Sequence, residues 1–180
     1  PYIRGTILLV KPQDGEVLAV MDGAWITNGR TGAQSAVALK HLAKKGPLTV
    51  GLFGAGAQGR TQALAMIETL PLEELKIYDI RPEAAKALAA DMNELLPGRV
   101  RAAESVAETA DSDAIVTVTH SRGKFLKPEM IRPGATVCAL GSYTECSDEL
   151  ILGVDRIFVD HIGQCLHRGA LKEVSESGRL

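Results

Sequence analysis

Aromatic residues are scarce in this sequence, at 4% of 180 residues, and neither sign of charge dominates, with a formal net charge of −2. A nucleic-acid-binding surface usually combines a basic excess with aromatic side chains, so we expect no nucleic-acid partner. Long apolar runs are also lacking, and none approaches the roughly 20 residues that cross a bilayer as a helix. Apolar residues in general are abundant, at 46% of the sequence, and this share suffices for the core of a globular domain.

Cysteine is scarce as well. Cys138, Cys146 and Cys165 are odd in number and form no CxxC pair, which is typical of free thiols in a reducing cytoplasm. His161 and His167 lie near Cys165, but the spacing matches no common zinc pattern, and we predict no metal site. The start of the chain has neither the apolar region nor the cleavage site of a signal peptide, so we predict a cytoplasmic protein. The missing initiator Met leads us to expect a partial or processed chain.

Apolar runs and turn residues divide the chain into alternating elements. The runs Thr6–Val10 and Val17–Met21 flank Pro12 and Asp14-Gly15, which predicts a β-hairpin. Helices are predicted at about 31–45, 58–70, 82–96 and 105–110, after residue 140, and through Ile162, Leu166 and Ala170; strands are predicted at 48–53, 74–79, 99–102, 113–119, 135–140 and 156–160. Such alternation, with near-continuous apolar strands, indicates an α/β domain with a doubly wound parallel sheet.

The segment GAGAQG, from Gly54 to Gly59, is a GxGxxG pattern that leaves an apolar strand and enters a helix. This context is typical of a Rossmann dinucleotide site. Gly54 allows the tight turn, Gly56 lets the backbone approach a pyrophosphate, and Gly59 lets the helix pack near the strand. The helix N-terminus then offers free N–H groups to the phosphates. The bland alternative is a glycine-rich turn without a ligand.

Asp79 ends the next predicted strand, 20 residues after Gly59, where an acidic residue binds the adenosine ribose. A carboxylate about 5 Å from one phosphate charge costs roughly 3 kcal/mol at an effective dielectric near 20, which disfavours a 2′-phosphate. We therefore predict NAD as the cofactor. Arg81 would offset part of the repulsion, so NADP stays possible. The alternative is that Asp79 caps the helix that begins at Pro82.

Ligands of open α/β sheets lie outside the carboxyl ends of the strands. Two late strands of this sequence end in Thr119-His120-Ser121 and in Ala139-Leu140. We expect these ends to face the nicotinamide half of the cofactor. The polar stretch that follows, GSYTECSDEL from Gly141 to Leu150, lies beside it by topology.

The segments DGAWITNGRTGAQSAVALKHLA, GLFGAGAQGR, DSDAIVTVTHS and GSYTECSDEL together resemble the ornithine cyclodeaminase/mu-crystallin family, in order and over nearly the whole chain. The family comprises NAD(P)-dependent cyclodeaminases, an alanine dehydrogenase, ketimine and pyrroline-carboxylate reductases, and mu-crystallins with a binding role. Family members are longer at both ends. The resemblance thus implies that the hairpin is a remnant of a second domain.

The resemblance also implies roles for single residues. Ala57 and Gln58 would lie at the pyrophosphate, and Thr119 with 137–140 at the nicotinamide half. Arg30, in the RTGA motif, would bind the substrate carboxylate through its guanidinium fork. Without the resemblance, Arg30 reads as a solvated arginine at a helix start.

Tyr143 departs from the cyclodeaminases, which place an aspartate at this position of the motif. A carboxylate there would serve as the base that deamination needs, whereas a phenol is a poor base and a reasonable hydrogen-bond donor. We therefore predict an NAD(P)-dependent oxidoreductase of a small α-amino or α-imino acid. The alternatives are an ornithine cyclodeaminase and a dinucleotide-binding module without catalysis.

The predicted organisation is a partial substrate and dimerisation domain at 1–29, a dinucleotide-binding domain at 30–172 and a tail at 173–180. Because the hairpin strands TILLV and VLAVM form an uncovered edge, we expect a homodimer or association with missing segments. Cys146 is a candidate reactive thiol if Ser147 starts a helix, but an inert surface cysteine is the simpler interpretation without a basic partner nearby. His120 is either a site residue or a solvated loop histidine. Glu149 is predicted in the first turn of the helix that Ser147 caps.

Overall fold

The N-terminal hairpin exposes apolar side chains on both of its faces. The computed structural model describes residues 5–180, so residues 1–4 of the predicted first domain lie outside the described part. Strands β1 (Thr6–Val10) and β2 (Val17–Asp22) pair antiparallel. The opposed Leu8 and Val20 are 56% and 67% exposed. A two-stranded hairpin with both faces uncovered lacks the packing that makes such a unit stable.

Helix α1 (Gly23–Leu42) begins earlier than the predicted start near residue 31. Asp22 ends the hairpin and caps the helix, because its side chain accepts the N–H of Ala24 at 2.8 Å. The helix therefore runs without interruption across the predicted domain boundary at residues 29 and 30.

The centre of the fold is a parallel sheet in the order β5-β4-β3-β6-β7. Its strands are β3 (Leu48–Phe53), β4 (Leu72–Tyr78), β5 (Val100–Ala102), β6 (Ala114–Thr117) and β7 (Thr136–Ala139). The connecting helices are α2 (Ala57–Thr69), α3 (Pro82–Asn93) and α4 (Val106–Ala110). The order places the switch point between β3 and β6, where doubly wound sheets bind their ligands. The predicted fold class is confirmed.

Two apolar clusters cover the two faces of the sheet. One joins strand residues such as Val50 and Ile77 to α1, α2 and α3. The other joins Phe53 and Ile115 to the segments around Leu126 and Ile151. The central strands β3 and β6 are therefore buried on both faces, which explains their mostly apolar sequences.

The C-terminal part differs most from the sequence-based expectation. Helices α5 (Asp148–Gly153), α6 (Ile162–Cys165) and α7 (Lys172–Glu176) are all short. The predicted strand 156–160 is wrong: these residues are exposed and, within the described chain, no strand lies beside them to complete a ladder. The predicted last helix is not continuous: α6 ends at Cys165, and a 3-10 turn follows at Gly169–Leu171, where Gly169 has a left-handed φ of 68°. Val174, in the predicted tail, is completely buried.

Membrane insertion of a helix is not indicated by the described residues, since none of their helices has the length and apolar character of a bilayer span.

Candidate functional site

The three glycines of GAGAQG each meet a distinct steric demand. Gly54 has a φ of 105° and donates its N–H to the carbonyl of Tyr78 at 2.8 Å. A Cβ on Gly59 would lie under 3.0 Å from the carbonyl oxygen of Gly54, so only glycine lets α2 pack this close to the turn. At Gly56 a Cβ would meet nothing within 4 Å. The backbone beside Gly56 therefore faces open space, as a pyrophosphate cradle requires.

Asp79 connects the glycine turn to the end of β4. Its carboxylate accepts the N–H of Ala55 at 2.8 Å and the N–H of Arg81 at 2.9 Å. The Asp79 side chain is 12% exposed, and the Arg81 side chain, with Nε 3.6 Å away, is 73% exposed. The N-cap position of α3 belongs to Arg81, so the helix-cap alternative for Asp79 does not describe its contacts. Asp79 instead fixes the shape of the turn and keeps its remaining lone pairs for a ligand.

The N-terminal turn of α2 packs against α1 through polar groups. Ala57, the first residue of α2, is exposed. Gln58 donates its Nε2 to Oδ1 of Asn28 at 2.8 Å, whereas its buried Oε1 has no partner within the described residues. Gly32 of α1 allows close contact with α2, because a Cβ there would lie 2.5 Å from the carbonyl oxygen of Thr61. The position of α1 therefore sets the position of the predicted phosphate-binding turn.

A buried carboxylate that the sequence reasoning did not single out joins the ends of the late strands. Glu145 accepts hydrogen bonds from the hydroxyl of Thr117 at 2.6 Å, from the N–H of Thr119 at 2.9 Å and from the hydroxyl of Thr119. Its exposure is 0%. The sequence offered one signal for Glu145, because it is an acidic residue in a loop after a strand at the carboxyl edge of the sheet. Its burial could not be predicted, since it depends on contacts with residues that are 26 and 28 positions away in the sequence.

The residues predicted at the nicotinamide half gather at this same edge. Ser121 donates its N–H to Oγ1 of Thr119 at 3.0 Å. Ala139 ends β7 beside Thr117 of β6, and Leu140 donates its N–H to the carbonyl of Thr117 at 2.9 Å. Thr119, Ser121, Ala139 and Leu140 are all half-buried, which leaves part of each accessible. His120 between them is exposed.

Tyr143 lies in a polar groove of about 660 Å³ beyond the end of β7. The ring is 41% exposed, and the guanidinium of Arg122 lies over it at 5.1 Å from the centroid. This distance is that of a cation–π contact. The remaining lining of the groove comes from Ser142, Thr144, His167, Arg168, Gly169, Lys172, Glu173 and Glu176. Arg122 was not predicted, and it adds positive charge next to the predicted catalytic phenol.

Arg30 lies in the middle of α1 rather than at a helix start, and it is exposed. Among residues 5–180, no hydrogen bond or ion pair joins Arg30 to Tyr143. Its assigned contact with a substrate carboxylate stays a prediction.

The thiol of Cys146 is not a reactive nucleophile at neutral pH. Ser147 does cap α5, since its hydroxyl accepts the N–H of Leu150, and Glu149 lies in the first turn as predicted. Cys146 itself is 4% exposed, and burial raises its pKa to about 12, with a smaller contribution from the charge of Glu145. The raised pKa agrees with an inert thiol, but the predicted surface position of Cys146 is wrong, since the side chain is buried.

Comparison with known proteins agrees with this geometry. Residues 1–178 match the ornithine cyclodeaminase/mu-crystallin family. The chain belongs to this family. It is 32% identical to an alanine dehydrogenase of Archaeoglobus fulgidus, over 99% of this chain and 56% of that protein. It is 36% identical to an L-lysine cyclodeaminase of Streptomyces rapamycinicus, over 98% of this chain and 53% of that protein.

A solved structure shares the fold across the whole chain. The Δ(1)-pyrroline-2-carboxylate reductase of Thermococcus litoralis, in complex with NADH and L-proline, superposes with a TM-score of 0.90 at 33% identity. The match covers 98% of this chain and 56% of that one. The family member described here thus spans about half the length of the curated relatives it matches.

Proposed function

We propose that this family member is the dinucleotide-binding part of an NAD(P)-dependent oxidoreductase acting on a small α-imino or α-amino acid. The observation that carries the proposal is the glycine turn held by Asp79. The backbone beside Gly56 borders open space, which suits a pyrophosphate, and the carboxylate of Asp79 beside the turn would accept the hydroxyls of an adenosine ribose. The residues present therefore fit a nicotinamide dinucleotide.

The chain's own residues divide into three groups under this proposal. Gly54, Gly56, Ala57, Gln58 and Gly59 form the phosphate cradle at the start of α2, where free N–H groups and the helix dipole favour anions. Asp79 would accept the ribose hydroxyls, with Arg81 beside it. Thr119, Ser121, Ala139 and Leu140 would line the nicotinamide half. The cofactor supplies a hydride donor or acceptor when bound.

Two residues are proposed to serve the substrate. Arg30 would bind the substrate carboxylate, which orients the α-carbon. Tyr143 would donate a hydrogen bond near the substrate nitrogen, a role that suits a phenol better than general base catalysis does. The guanidinium of Arg122 lies over the electron-rich face of the Tyr143 ring, and this attraction would restrict the orientation of the ring.

Cyclodeamination is the second candidate, because an L-lysine cyclodeaminase is among the relatives. In that reaction the cofactor is first reduced and then reoxidised, without net redox change. The tyrosine at position 143 argues against it, since no carboxylate stands at that point of the loop to act as a base.

The deciding experiment follows NADH absorbance in the protein with cyclic and acyclic imino acids, and separately follows ammonia release from ornithine and lysine. Net NADH oxidation with an imino acid supports the proposal. Ammonia release without net NADH change would instead establish cyclodeamination. Cofactor binding without turnover of either set would identify a binding module.

The organisation of the whole protein is also proposed. Residues 1–29 would belong to a substrate and dimerisation domain, 30–172 to the dinucleotide-binding domain and 173–180 to a tail, in a cytoplasmic homodimer. Support for the dimer comes from the exposed apolar hairpin and from a related archaeal alanine dehydrogenase that is a dimer with bound NAD.

A further inference from the structure

Glu145 is surrounded by hydrogen-bond donors. The hydroxyl of Thr117 and the N–H of Thr119 both donate to its carboxylate. The hydroxyl of Thr119 accepts the N–H of Ser121, so its own hydrogen is left for Glu145. Each of these three groups can donate to a carboxylate oxygen, which is an acceptor.

Within residues 5–180, no cationic side chain forms an ion pair with this carboxylate. Its exposure is nevertheless 0%. A buried charge is costly unless it is paired or hydrogen-bonded. Its field also extends further than that of a surface charge, because less water screens it.

The side chain of Glu145 lies at the carboxyl edge of the sheet. Its two threonine partners lie at the end of β6 and just beyond it. A Cβ on Gly141, two residues after the end of β7, would lie under 3.0 Å from the Glu145 carboxylate. The side chain therefore fills the space between the two strand ends, behind the residues that face the proposed nicotinamide position.

We propose that Glu145 is a positioning residue that fixes the ends of β6 and β7 and whose charge favours the oxidised nicotinamide ring over the reduced one. This inference rests on the proposed function. The oxidised ring is cationic and the reduced ring is neutral, so a fixed negative charge stabilises only the oxidised form. Two unit charges on the order of 10 Å apart, at an effective dielectric near 20, change an equilibrium by about tenfold.

The test is the ratio of the dissociation constants of NAD⁺ and NADH, measured by calorimetry for the protein and for Glu145→Gln. Glutamine has the same shape and still accepts the N–H of Thr119, but it removes the charge. We expect NAD⁺ binding to weaken about tenfold relative to NADH binding. A residue with only a structural role would weaken both forms equally and leave the ratio unchanged.

The matched control is Glu149→Gln, which makes the same charge change four residues further along the chain, on an exposed residue in the first turn of α5. Its ratio should stay within about twofold of the original, because solvent screens that charge. A ratio that is as insensitive in Glu145→Gln as in this control would overturn the inference.

Glu145→Asp provides a second variant if the glutamine variant does not fold. It keeps the charge and shortens the side chain, so both forms should bind more weakly while their ratio is preserved within about twofold. A tenfold loss of NAD⁺ preference in this variant would exclude the charge as the cause. Failure of the unaltered protein to bind either form would instead refute the proposed function itself.

Discussion

Asp79 combines a structural and a proposed binding role in one side chain. It accepts the N–H groups of Ala55 and Arg81, so its carboxylate is fixed close to the glycine turn. We predict that Asp79→Asn raises the affinity for NADP⁺ relative to NAD⁺ by at least about tenfold, because the repulsion of a 2′-phosphate is removed. The overall affinity should fall somewhat, since the amide group faces one of the two N–H donors.

Glu83→Gln is the control for the change in cofactor preference that we predict for Asp79→Asn. Glu83 is 85% exposed in the first turn of α3, and its loss changes the net charge equally. Fluorescence titration with both cofactors should show an unchanged preference there. An equal preference in Asp79→Asn and in the control would argue that Asp79 only shapes the turn.

Cys146 makes the stability of the fold dependent on pH in the alkaline range. The folded pKa is raised by burial from about 9 to about 12. The unfolded thiol therefore loses its proton first, so this contribution to stability is complete below pH 9 and declines as the pH rises towards 12. The decline is up to about 1.4 kcal/mol per pH unit.

We predict that Cys146→Ala reduces the slope of unfolding free energy against pH between pH 9 and 11 by about 1 kcal/mol per unit. Urea unfolding at several pH values measures this slope. At pH 7 the variant should lose only about 1 kcal/mol, the cost of a small cavity. Parallel slopes for the two proteins would mean that the thiol titrates alike in the folded and unfolded states.

At the scale of elements, the contact between α1 and α2 depends on Gly32. A Cβ there would lie 2.5 Å from the carbonyl oxygen of Thr61, whereas a Cβ on Gly29 of the same helix would meet nothing within 4 Å. We predict that Gly32→Ala destabilises the protein by about 2 kcal/mol through overpacking and weakens NAD⁺ binding, because the start of α2 is displaced.

The same change at Gly29 is the internal control. Gly29→Ala should stabilise the helix by about 0.5–1 kcal/mol, since alanine loses less backbone entropy than glycine and nothing obstructs it. If the close contact is the cause, urea unfolding gives stability changes of opposite sign for the two variants, and cofactor titration shows weaker NAD⁺ binding only for Gly32→Ala. Destabilisation of similar size at both positions would exclude the close contact with Thr61 as its cause.

The elements that the sequence predicted correctly are those whose signal is local. The central strands β3 and β6 are mostly apolar and buried on both faces, and Pro82 marks the first turn of α3. The start of α1 was missed because Asp22 belongs to a strand and a cap at once. The segment 156–160 has the sequence of a strand, but a strand also needs a neighbour, and that requirement is not local.

The same distinction applies to the site of the whole molecule. The glycine turn and Asp79 were predictable, because fixed spacing carries their geometry. Glu145 and Arg122 were not, because their significance arises when β6 and β7 bring distant loops together. The candidate site therefore has two parts. The cofactor motif is local and can be predicted from the sequence, whereas the part around Glu145 and Arg122 is formed by tertiary contacts.

The hairpin carries exposed apolar side chains on both of its faces. Leu8, opposed to Val20, is exposed on one face, and Ile7, opposed to Met21, on the other. An apolar surface of this kind favours association, because burying it releases water from both faces. We predict that the chain forms a dimer or larger species in light scattering, and that Leu8→Glu with Val20→Glu shifts it towards the monomer.

A charge on another exposed apolar residue is the control for that shift. Leu95→Glu, at a site that is 53% exposed just beyond α3, should leave the measured mass unchanged. The double variant should keep its affinity for NAD⁺, since the cofactor motif lies outside the hairpin. A monomeric mass for the unaltered chain across the accessible concentration range would contradict the prediction, and the hairpin would then have to be stable with both faces in water.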